Sequence, residues 1–248
     1  MHDKNDRNRK KITCYPPKVD NDQYAGISYD TENRYIVTTV LRNYHQWIVQ
    51  IYERKGMRLR AETSCPTEPK IQNSWYRWVT CLGRGYALIS TGDKRQSVIW
   101  LLNLHNHKWS VLLVKQNATF RKASFHQSSR KWPENRQREG LVYVPDMKNK
   151  TIVTFLLDTH AWTISKIDEI KTTEFARELP ITVNAKGGKL VVGYWNTGNV
   201  IFADLIKSTS ITLTSVGPRE IFSICFLDTL SILVLCKQRE VVEMYKVG

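Results

Sequence analysis

The chain has 248 residues, 42% of them apolar, with eight Trp, eleven Tyr and seven Phe. This composition excludes a disordered polypeptide and allows a substantial core. A formal charge of +14 and a pI near 9.6 point to an acidic partner, nucleic acid foremost. Five cysteines without a C-x-x-C spacing suggest neither a zinc site nor a disulfide framework, so reduced thiols in a cytoplasmic or nuclear protein are expected. No apolar run is long enough to span a membrane, and nothing indicates a cofactor.

Taken in order, residues 1–10 are expected to form a basic, flexible arm, followed by a lone strand at 11–15 that Pro16-Pro17 stops. Residues 24–62 then read as a complete meander, with β-prone runs at 24–29, 35–39, 47–52 and 57–62 separated by polar and glycine-containing turns. A second unit spans 75–115 and repeats the number and length of the strands at low residue identity. A third, 119–167, carries a basic, polar insertion at 127–139 around Trp132, and the stretch 168–178 is expected to be a short helix or an irregular link. The fourth unit is 181–214, and the fifth, 221–245, has three strands instead of four.

A repeat of about 50 residues is in the propeller range. The orphan strand 11–15 and the missing outer strand of the last unit complete each other, which leaves no open sheet edge. The expected fold is therefore all-β: a single five-bladed β-propeller over 11–248, built of four-stranded antiparallel blades, the last closed by the N-terminal strand. Six blades would need another strand set around 171–177, where too few residues remain.

Residues 35–56 (YIVTTVLRNYHQWIVQIYERKG), 189–204 and 231–245 (SILVLCKQREVVEMY) resemble the NHL-type propeller repeats of TRIM-NHL proteins. Tyr35-Ile-Val-Thr38, Val49-Gln-Ile-Tyr52 and the Lys55-Gly56 turn carry the likeness, whereas the D-x-x-N-x-R element before the third strand is absent. A degenerate WD-repeat-like propeller is the fallback. The resemblance implies single-stranded RNA binding, in post-transcriptional regulation, by the loops between second and third strands and between blades.

On that face the sequence places Arg42, Tyr44, His45, Lys94, Arg95, Lys148, Trp195, Lys237 and Arg239 in second-to-third strand loops, with Arg121, Lys122 and Arg219 between blades. Cations for phosphates and flat rings for unstacked bases are what a single strand needs. The alternative is a protein-interaction scaffold without nucleic-acid binding, which predicts a contiguous apolar or aromatic patch. A monomeric, non-catalytic protein is expected, because Asp30, Glu32, Asp158 and Asp228 fall at turns or strand ends and no nucleophile–base signature is visible. His105-x-His107 lies in a strand-to-strand turn, where solvation is expected over metal binding, and the sequons at Asn117 and Asn149 are expected to go unused.

Overall fold

The computed structural model describes residues 23–69, 77–93, 95–127, 139–171, 181–183, 189–194, 197–204, 209–215, 221–226, 231–236 and 241–246. Among them, nineteen strands form five antiparallel sheets of consecutive strands. The first sheet holds β1 (Gln23–Asp30), β2 (Tyr35–Arg42), β3 (Gln46–Glu53) and β4 (Arg58–Ser64); the second β5 (Trp78–Gly83), β6 (Tyr86–Gly92), β7 (Gln96–Asn103) and β8 (Trp109–Gln116). The third has β9 (Ser124–Gln127), β10 (Glu139–Asp146), β11 (Thr151–Asp158) and β12 (Thr163–Lys171); the fourth β13 (Ile181–Val183), β14 (Lys189–Tyr194), β15 (Asn199–Asp204) and β16 (Thr209–Ser215). The last has β17 (Ile221–Phe226), β18 (Ser231–Cys236) and β19 (Val241–Lys246). No helix among the described residues is long and apolar enough to cross a membrane.

Each sheet corresponds to one expected unit. The strand expected from residue 119 begins only at Ser124, because Phe120 makes an isolated bridge to Asp146 and the residues around it serve in a turn network. The expected helix or link at 168–178 begins instead as strand, since β12 runs on to Lys171. Residues 11–15 and the body of the insertion, 128–138, lie outside the described residues.

Side chains of a strand leave alternately by its two faces, and here both faces of the middle strands are apolar. Ala87 and Ile89 of β6, with Val98, Trp100 and Leu102 of β7, pack against Tyr35, Val37, Val49 and Ile51 of the first sheet. Their alternates Leu88, Ile99 and Leu101 pack against Val142, Val144, Val153 and Phe155 of the third sheet. Tyr143 and Ile152 join Leu190 and Val192, and Val191, Val200 and Phe202 join Ile221, Ile224, Ile232 and Val234. Every sheet therefore stacks on the next in chain order.

The first strands succeed one another on the inside, β1 beside β5, β5 beside β9, β9 beside β13 and β13 beside β17. Gly26 permits the first of these approaches: a Cβ there would stand 3.1 Å from the Val79 nitrogen and 2.9 Å from Thr39 Oγ1. The pairing of third with fourth strand carries a bulge in four of the sheets, at Ile51/Tyr52, Ile99/Trp100, Thr154/Phe155 and Val200/Ile201. A bulge sharpens local twist, so the units share a geometry that their residue identities do not display. The outer strands β4, β8 and β12 are the more exposed ones and carry the charges, as sheet edges require.

His126 of β9 is buried, and burial lowers its imidazole pKa below the ordinary value. On acidification the unfolded chain then takes up the proton first, so the stability held by the neutral ring is complete above the ordinary pKa and is lost as pH falls toward the lower folded one. The denaturation midpoint should drop between about pH 7 and about pH 5, and His126→Phe should flatten that drop. Equal slopes for the two proteins, measured by urea titration, would refute the assignment.

Candidate interaction surfaces

The turns between second and third strands and the connections between sheets meet along one side, where buried carboxylates organise them. Asp146, fully buried, accepts the backbone N–H of Thr119 (3.0 Å), Lys148 (3.2 Å) and Asn149 (3.4 Å) on Oδ1, and the Asn149 side-chain amide (2.7 Å) on Oδ2. Lys115 Nζ stands 3.5 Å from the same Oδ2. Asp93 accepts the N–H groups of Arg95 and Gln96 at 2.7 and 2.8 Å, and the Thr119 hydroxyl donates to the Asp93 carbonyl. Asn117, at φ +56, donates its N–H to the Arg95 carbonyl and accepts on its own carbonyl from the Asn149 amide. The Asn117 backbone and the Asn149 side-chain amide thus join one hydrogen-bonded knot.

The described RNA-contact candidates occupy different environments. Arg42 makes a two-point bond to Glu62 at 2.9 and 3.1 Å, and this pairing holds the Glu62 carboxyl below its ordinary range. Tyr44 and His45 are exposed on a tight turn in which Asn43 and Tyr44 have positive φ and His45 N–H bonds to the Arg42 carbonyl. Arg95 is exposed, Arg121 is half-buried, and Lys148 donates from Nζ to Asn117 Oδ1 at 3.2 Å. Lys122 turns inward: its ammonium lies 3.3 Å from the carbonyl of Ile27 on β1, and burial lowers its pKa. Lys94, Trp195, Arg219, Lys237 and Arg239 lie outside the described residues. Among the described residues no group of three or more His, Cys, Asp or Glu side chains is placed to hold a metal ion.

The opposite ends of the sheets show a feature absent from the sequence reading. Register places Tyr29 beside Ile36, Ile36 beside Tyr52, and Tyr52 beside Leu59, one apolar row across all four strands of the first sheet. The row lies on the face turned away from the second sheet. Ile27, Ser28, Tyr29, Ile36 and Arg54 line an open depression there of about 550 Å³. Ile27 is 58% exposed, Leu59 44% and Tyr29 38%, values high for side chains of their size in a sheet. Arg54 spans the rim, its guanidinium 5.7 Å from the Tyr29 ring centroid and 3.3 Å from the hydroxyl.

No family model matches the chain, and the comparison with curated proteins gave no match. Solved structures are similar in fold. A crystal structure of a nidogen/laminin complex superposes with a TM-score of 0.61 at 7% identity, covering 92% of this chain and 77% of the other. The Cps50 (Swd1) β-propeller domain of Myceliophteria thermophila gives 0.54 at 7% identity, with 91% and 84% covered. The fold is a β-propeller. TolB from Acinetobacter baumannii agrees, at 0.59 and 11% identity, with 91% of this propeller covering 52% of that chain.

Asp146→Ala strips a buried acceptor from three backbone donors and should cost on the order of 3 kcal/mol. Asp158, half-buried, accepts the N–H groups of His160 and Ala161 in an exposed turn, and Asp158→Ala should cost about 1 kcal/mol. Denaturant titrations check the ranking; a milder effect at Asp146 than at Asp158 would contradict the network's role.

Proposed function

We propose that this propeller is a non-catalytic platform for protein partners, and that its contact surface includes the depression on the first sheet. The observation that carries this reading is the depression lined by Ile27, Tyr29 and Ile36, in which Ile27 and Tyr29 are exposed apolar side chains, since apolar surface of this kind is what association sites offer. A non-catalytic role is supported by the use of the described carboxylates Asp30, Asp93, Asp146 and Asp158 as acceptors inside turns. Single-stranded RNA is the second reading. Exposed Tyr44 and Arg95 favour it, whereas the engagement of Arg42 with Glu62 and the inward course of Lys122 remove two cations from the loop face.

Within propellers we place the chain with the five-bladed, NHL-like type, on Tyr35-Ile-Val-Thr38 and Val49-Gln-Ile-Tyr52. Closure of the ring by residues 11–15 is supported by the three strands described in the last sheet, one fewer than in each of the other four. Deleting residues 1–15 should then lower Tm by at least roughly 2–4 °C; an unchanged Tm would remove the closure. For the function itself, proteins captured by the immobilised full chain should persist after RNase treatment and be lost with Ile27→Asp. Capture that RNase abolishes, or that Ile27→Asp leaves intact, would overturn the reading.

A further inference from the structure

Resting on the platform reading, we infer the chemistry of the partner: an acidic peptide segment that seats an aliphatic side chain in the Ile27–Tyr29–Ile36 depression and sets a carboxylate against Arg54. The turn joining β1 to β2 and the turn joining β3 to β4 lie side by side, held by the Arg54 N–H on the Arg34 carbonyl at 3.0 Å. That contact brings Arg34, Arg54 and Lys55 to one rim, with Arg58 following directly. The carboxylates of the same turns are Asp30, Glu32 and Glu53. Asp30 accepts from Glu32 N, Asn33 N, the Asn33 amide and Gly85 N. Glu32 accepts the Arg84 N–H at 3.0 Å, and Glu53 pairs with Arg60 at 3.3 Å. Five cations of these turns and the start of β4, Arg34, Arg54, Lys55, Arg58 and Arg60, outnumber the three carboxylates, so the rim presents an excess of positive charge beside an apolar floor.

That combination favours a peptide over a nucleic acid. A base needs a flat ring to stack on, but the guanidinium of Arg54 lies over Tyr29, and Ile27 and Ile36 offer no plane. An aliphatic anchor flanked by Asp or Glu satisfies both halves of the surface, and charge of opposite sign also raises the encounter rate.

The test uses the full chain and a fluorescein-labelled peptide of alternating paired glutamates and paired leucines, followed by fluorescence anisotropy. Comparators are the same peptide with lysines for glutamates, one with serines for leucines, and a short labelled oligouridylate. The glutamate–leucine peptide should bind and the other two peptides should not. Arg54→Glu should weaken binding by at least about tenfold, and Arg34→Glu combined with Arg54→Glu should transfer preference to the lysine peptide. Arg54→Gln, which retains a donor for Tyr29, guards against a folding defect. Equal binding of glutamate and lysine peptides would overturn the charge assignment while leaving the platform reading, tested separately through Ile27→Asp, in place. Failure of every peptide, or oligouridylate displacing the glutamate–leucine peptide in an Arg54-dependent way, would overturn the inference as well.

Discussion

The middle strands of these sheets are apolar on both faces, and that single constraint dictates the arrangement. A sheet with one apolar face is content beneath a layer of solvent; one with two must be covered twice. The second sheet shows the consequence most fully. Trp100 goes to the first sheet and Ile99 to the third, from adjacent positions of β7. The Trp100 ring is covered in turn by the Arg77 guanidinium at 4.8 Å, whose Nη1 is anchored on the Pro66 carbonyl at 3.0 Å. Arg77 and Pro66, at the described ends of the connection between the two sheets, thus belong to the core's surroundings and are not merely a tether.

Strands were legible because alternation and turn chemistry are local. Asp30 and Asp158 do act as turn acceptors, and the hairpin boundaries of the first sheet fall where Asn33 and Gly56 suggested. Directly before β11 the turn Asp146-x-x-Asn149 is closed in the same way, by the Asn149 amide donating to the Asp146 carboxylate at 2.7 Å. What escaped is non-local. Nothing in the string links Arg42 to Glu62, twenty residues on, or Lys122 to Ile27. The apolar row Tyr29–Ile36–Tyr52–Leu59 likewise exists only once four strands are in register. Alternation within each strand was the available signal, since Ile27 and Tyr29 share a face that Gly26, packed against β5, does not.

Two sides of the molecule have consequently taken on different characters. The side of Asp93, Asn117 and Asp146 spends its polar groups on itself, which makes its loops a continuation of the scaffold. The other side spends its carboxylates on neighbouring N–H groups and leaves arginines and an apolar hollow outward. Positive charge in this protein is therefore not a uniform coat.

The bond from Lys122 to the Ile27 carbonyl joins positions 95 residues apart. It forms only after the first and third sheets have both taken their places around the inner strands. Contacts of such separation come late, because the loop they close must first lose its freedom. Lys122 is in that sense a clock for assembly: its bond to β1 is absent through the growth of each meander and forms when the sheets have come together as a single body.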